Sequence, residues 1–162
     1  MTPMDPPLLQ EMLDEHQLSR LVHAYCRAVD RGDLDLVRSL YHRDAVDSHG
    51  AFSGGSVDEF VGRLAAARPH LRSMQHHVTT VNFAVDGTVA EGEIYTIATH
   101  TLISGTGDVD VTVGGRYLDK YEKQNGTWGI RRADDRHRLG ARRRSVAGAV
   151  RPPVDPGHPP TG

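Results

Sequence analysis

Asp30, His76 and Tyr25 are the residues of this chain whose types and spacing could do chemistry together. An aspartate that holds one nitrogen of an imidazole leaves the other free as a general base near neutral pH. Such a pair removes a proton from carbon or oxygen without a metal or a cofactor. A phenol beside it can donate to a developing oxyanion or protonate a departing hydroxyl. Asp30 ends a helical apolar pattern in which Cys26 and Val22 lie one and two turns before it. A carboxylate there meets the negative end of the helix dipole, so it needs a partner. That partner is an inward-facing group, or else Arg27 or Arg31 in solvent. Five residues separate Tyr25 from Asp30, about 140° of helix rotation, so both reach one pocket only if the pocket is wide or the helix end bends.

His76 lies in a strand-like stretch where Met74, His76 and Val78 share one face. Ser73, Gln75, His77 and Thr79 share the other, wetter face. His76 is therefore expected inside, either as a base or as a core histidine that only hydrogen-bonds. His77 is the fallback. Their adjacency sends the two rings to opposite faces, so they do not share a metal. No metal or cofactor is expected. Other chemistry finds little support. The single cysteine, Cys26, excludes an intrachain disulfide and reads as a small core residue. Gly105-Thr106-Gly107 does not open onto a helix, as a phosphate loop must. There is no His-Glu-x-x-His and no Gly-x-Ser-x-Gly motif.

These residues need elements to hold them. Apolar residues at three- and four-residue steps predict a helix over residues 8–30, with Gly32 as its stop. Asp33 can cap a second helix over residues 34–41. A short extended piece follows near Ala45–Ser48. Ser56-Val57-Asp58-Glu59 has capping-box spacing and predicts a third helix that stops before Pro69. Then the pattern alternates. Strands are expected over residues 71–85, 88–103, 109–123 and from Trp128 to about His137, joined at Asp86-Gly87, Ser104–Asp108 and Asn125-Gly126. The apolar parity changes after residue 80, which predicts a bulge near Thr79-Thr80. Three helices followed by an antiparallel meander make an α+β domain with a pocket between sheet and helices.

The 162 residues suit one domain, with 38% hydrophobic and 25% charged residues and a net charge of −2. These figures exclude a disordered chain, a collagen and a coiled coil. No apolar run approaches the roughly 20 residues of a membrane helix. The N-terminus has no basic region leading into an apolar one, so a cytoplasmic location and no membrane partner are expected. Eight of the nine prolines lie in residues 1–7 or 152–160. Residues 1–7 are accordingly expected to be flexible, 8–139 to be the domain, and 140–162 to be a mobile tail, basic and then rich in proline and glycine. No aromatic residue interleaves the tail arginines, so nucleic-acid binding is not expected.

The pattern resembles the SnoaL-like branch of the nuclear-transport-factor-2-like superfamily. The resemblance covers residues of about 8–138. It rests on Tyr25-Cys26-Arg27-Ala28-Val29-Asp30, on His76-His77-Val78-Thr79, on Gly114-Gly115-Arg116-Tyr117-Leu118-Asp119-Lys120-Tyr121-Glu122 and on Gly126-Thr127-Trp128-Gly129-Ile130. It implies a cone-shaped curved antiparallel sheet around three N-terminal helices. The most similar patterns belong to scytalone dehydratase, the lindane dehydrochlorinase and bile-acid 7α-dehydratase, which use an Asp–His dyad. Carried over, the dyad falls on Asp30 and His76, and the Tyr-x4-Asp spacing falls on Tyr25. Tyr41, Met74, Tyr95 and Tyr117 are taken as substrate-binding, with Arg132 chosen because it shares parity with Trp128 and Ile130. Where relatives often place an Asn after the histidines, this chain has Thr80.

The expected activity is that of a cofactor-independent lyase of dehydratase type. Its substrate would be a small apolar ring compound: a steroid, terpenoid or aromatic polyketide. An isomerase or polyketide cyclase using the same base is the alternative, as is a non-catalytic binding or interaction module. A homodimer or homotrimer through the sheet face is expected.

Overall fold

The computed structural model describes residues 5–49, 52, 54–134 and 139–144. Helix α1 runs Pro6–Arg31, α2 Leu34–Ser39 and α3 Val57–Ala67. The strands are β1 Tyr41–Ser48, β2 Gly54–Ser56, β3 Leu71–Asp86, β4 Val89–Leu102, β5 Val109–Gln124, β6 Thr127–Asp134 and β7 Leu139–Arg144. Helix α1 starts two residues earlier than expected. Its first two residues are Pro6 and Pro7, where a missing N–H costs nothing and a fixed φ favours the helix.

The local signals act where they were read. Gly32 ends α1 with φ +70°; its N–H donates to the Val29 carbonyl, and the Asp33 N–H to that of Ala28. This is the paired closure of a Schellman cap. The Asp33 carboxylate accepts from the Leu36 N–H at 3.1 Å, starting α2. Ser56 and Glu59 form both halves of the capping box on α3. Asn125 and Gly126 both have positive φ, as a type I′ hairpin turn requires.

The sheet order is β2-β1-β6-β5-β4-β3, with β7 also paired to β5. It is curved, and mixed rather than wholly antiparallel, because β1 runs parallel to β6. The bulge in β3 falls between Val78 and Thr80, where the register with β4 skips one residue. Met74, His76 and Val78 before it, and Val81, Phe83 and Val85 after it, therefore share the more buried face. Two strands escaped the sequence reading. Strand β2 is only three residues long, and β7 occupies Leu139–Arg144, all but its first residue in the expected tail. Strand β7 pairs with residues 109–114 of β5, beside the stretch of β5 that pairs with β6. Pairing is a main-chain property, so a basic segment can supply it. The mobility expected of residues 1–4 and 145–162, and the strand expected over 135–137, fall outside the described residues.

The core lies between α1 and the concave face of the sheet. Leu18, Leu21, Val22, Tyr25, Cys26, Ala28 and Val29 are buried along α1, against Ile94, Tyr117, Tyr121, Trp128 and Ile130 from the sheet. Each fully buried large side chain stabilises the fold by about 1.5–3 kcal/mol. Among the described residues no helix is long and apolar enough to cross a membrane.

Candidate active site

A cavity of about 310 Å³ opens between the C-terminal end of α1, helix α3 and the concave face of β3, β4 and β5. Leu64, Leu71, Met74, Leu102 and Val113 give it apolar walls. The inward positions of β4 that face it carry the small residues Thr96 and Ala98, and so leave this space unfilled. Into the same wall the fold sets Tyr25, His49, His76 and His100.

Asp30 and His76 meet across the seam between α1 and β3. One carboxylate oxygen of Asp30, Oδ1, lies 2.6 Å from Nδ1 of His76. The other, Oδ2, accepts the main-chain N–H of the same residue at 3.0 Å. A carboxylate only accepts, so Nδ1 carries the ring proton and Nε2 is the basic nitrogen of a cavity-lining ring. Asp30 does not pair with Arg27 or Arg31 here. It reaches inward because it is the penultimate residue of α1, where the Gly32 turn brings the helix end against β3. The His100 ring stands edge-on to His76, 5.7 Å between centroids. His77 lies on the opposite, exposed side of β3 and is not on the cavity.

Tyr25 is buried on α1, one turn and a residue before Asp30, and lines the same cavity. The width of the cavity, together with the turn at the helix end, accommodates both. Burial pushes the Tyr25 hydroxyl well above the ordinary tyrosine range, helped by the nearby Tyr41, Tyr117 and Asp47. Its oxygen lies 3.2 Å from Nε2 of His49. His49 Nδ1 in turn lies 2.7 Å from Oδ1 of Asp47, and the other oxygen of Asp47 accepts the Tyr41 hydroxyl at 2.8 Å. Asp47 is completely buried. The His49 ring stacks on Phe60 at 4.7 Å with planes 12° apart. A second Asp–His pair thus borders the cavity, built from the end of β1. The sequence reading missed it, although Ala45, Asp47 and His49 share one parity and are all buried. That alternation carried the signal.

The other expected wall residues divide. Met74 and Tyr117 line the cavity. Tyr41 does not; it borders a small void behind Tyr25 with Asp119 and Ala133, and serves Asp47. Tyr95 is a correction: it is 41% exposed, on the convex side of β4, with Arg116 over its ring at 5.8 Å. The inward parity of β4 falls on Ile94, Thr96 and Ala98, so Tyr95 and Ile97 turn outward. Arg132 is a second correction. The register of β5 with β6 slips between Lys120 and Tyr121, so that Ile130 and Arg132 oppose neighbouring residues. The extra residue breaks the parity that linked Arg132 to Trp128, and Arg132 is exposed. Cys26 is buried and its thiol is pushed up to about 12 by burial and then by Asp30 and Asp119, so it stays protonated.

Comparison with known proteins places this geometry in context. The family model described as a SnoaL-like domain matches residues 10–134. No curated protein matches the chain in sequence. A candidate scytalone dehydratase from Novosphingobium aromaticivorans superposes with a TM-score of 0.74 at 20% identity, covering 81% of this chain and 88% of its own. The hexachlorocyclohexane dehydrochlorinase LinA-type3 from Novosphingobium barchaimii gives 0.72 at 16% identity, covering 89% and 99%. A candidate dehydratase of the nuclear-transport-factor-2-like family from Streptomyces avermitilis gives 0.63 at 16% identity, covering 76% and 95%. At such identities these likenesses speak for the fold alone. With the family model spanning α1 to the end of β6, the chain belongs to the SnoaL-like family.

Proposed function

We propose that the protein is a cofactor-independent lyase of dehydratase type that acts on a small, largely apolar ring compound. His76 Nε2 takes a proton from carbon, and Asp30 holds the ring in that tautomer and stabilises the imidazolium that forms. Tyr25 donates to the departing hydroxyl. The observation that carries the reading is the double hold of Asp30 on His76, at 2.6 Å on the ring and 3.0 Å on the main chain, beside an apolar cavity. Preorganisation of that kind is what proton abstraction from carbon needs. The dehydratase and dehydrochlorinase names of the structural neighbours support an elimination over an isomerisation or cyclisation.

The test is a screen of hydroxylated steroids, terpenoids and aromatic polyketides for loss of water by mass spectrometry. Asp30→Asn and His76→Ala are each expected to lower turnover about 10²–10⁴-fold, with the thermal midpoint of His76→Ala close to that of the parent. Ligand binding without conversion, unchanged in Asp30→Asn, would favour a carrier instead.

A further inference from the structure

The cavity holds two Asp–His pairs, and proton abstraction by His76 uses only one. Asp47, His49 and Tyr25 are joined in sequence by contacts of 2.7 and 3.2 Å, and the last two residues line the cavity. The groups around His49 come from four elements: Tyr25 on α1, Asp47 and Tyr41 on β1, Phe60 on α3, and Tyr117 with Asp119 on β5. The stack on Phe60 and the Asp47 carboxylate fix the ring in plane and in direction, with Nε2 toward the phenol. A buried ring so aimed is more than a filler.

We propose that Asp47, His49 and Tyr25 form a second proton chain, in which His49 resupplies the proton that the Tyr25 hydroxyl gives to the departing group. This rests on the elimination reading and adds its acid half. In the loaded chain Nδ1–H donates to Asp47 and Nε2–H donates to the Tyr25 oxygen, so the phenol hydrogen is free for the substrate. As the C–O bond breaks, the leaving oxygen takes the Tyr25 proton. The Tyr25 oxygen takes the Nε2 proton, and His49 is left neutral with Nδ1–H still on Asp47. The carbon-bound proton has gone to His76. One proton is then lost to solvent from His76 and one regained at His49, which closes the cycle. No tyrosinate forms at any point, which matters because burial raises the cost of that anion. Tyr25 is the catalytic acid; His49 acts through it.

The experiment uses the full-length protein and benzisoxazoles as surrogate substrates. A base removes the ring C–H proton, the N–O bond breaks, and a cyanophenol forms that is read by its absorbance. Nitro substituents set how basic the leaving oxygen is. His49→Gln keeps a hydrogen-bonding side chain beside Tyr25 but cannot pass a proton. It is expected to lower the rate about tenfold on 5-nitrobenzisoxazole, with a larger loss on unsubstituted benzisoxazole, whose leaving group needs an acid more. Tyr25→Phe should behave the same, and the double variant should lose no more than either single one, because all three break one chain. A loss in His49→Gln that is equal across leaving groups, or no loss, overturns the proposal. Should His49→Gln fail to fold, His49→Asn against the same leaving-group series decides. His76→Ala separates the two readings: an unchanged rate there removes the base and leaves the acid chain to its own leaving-group dependence. A wild-type protein no faster than free imidazole overturns both.

Discussion

At the scale of residues, the oriented histidine depends on a carboxylate, Asp30, whose partner is 46 residues away in sequence. Asp14 shows the same arrangement used for stability. It is 3% exposed on α1 and accepts from Lys123, from Trp128 Nε1 at 2.9 Å and from Gln10 at 3.1 Å. Burial alone would raise its pKa, but the hydrogen bonds from Lys123, Trp128 and Gln10 together outweigh it and hold the group below its ordinary 3.8. A carboxylate depressed in the folded state contributes stability above its unfolded pKa and loses it as pH falls through the folded one. Asp14→Ala should therefore cost about 1–3 kcal/mol at neutral pH, and much less once the pH is well below 3.8, measured by urea unfolding at both. Of the residues in the proposed chemistry, Asp30 and His76 were legible because each places a polar group on the apolar side of its element, and Tyr25 through the Tyr-x4-Asp spacing of the resemblance. His49 was passed over although Ala45, Asp47 and His49 alternate, because it follows the last residue of β1, a strand that pairs with β2 and, more than 80 residues on, with β6.

At the scale of elements, the α1 cap and the β3 bulge set the geometry. Gly32 holds φ +70°, and a Cβ there would stand 3.1 Å from Nε of Arg68. Gly32→Ala should destabilise the protein by about 1 kcal/mol or more, read as a lower urea midpoint with an unchanged slope. It should also slow turnover beyond what the stability loss explains, because Asp30 is two residues from the cap. Capping boxes, Schellman glycines and hairpin turns are local signals, and the sequence reading found each of them. Strand neighbours are not local. The parallel β1–β6 pair, the short β2 and the basic β7 depend on which edges remain open once the meander has formed, and no spacing within a strand records that.

At the scale of the molecule, the concave face is committed to the cavity and the convex face stands open. Val89, Tyr95 and Ile97 are 49%, 41% and 46% exposed on β4. The resemblance, with these exposed side chains, leads us to propose self-association through this face. Ile97→Lys should shift sedimentation toward the monomer, whereas an unchanged profile would place the contact elsewhere. The two Asp–His pairs differ in one respect that bears on how the molecule assembles. Asp47 and His49 are two residues apart and come together at the end of a single strand, β1. Asp30 and His76 are 46 residues apart and meet only when helix and sheet dock. A chain still folding, or one whose helix has come loose, can therefore possess the donor pair but not the oriented base. On the proposed reaction, deprotonation of carbon is confined to the finished fold, and a partly unfolded copy is inert by construction.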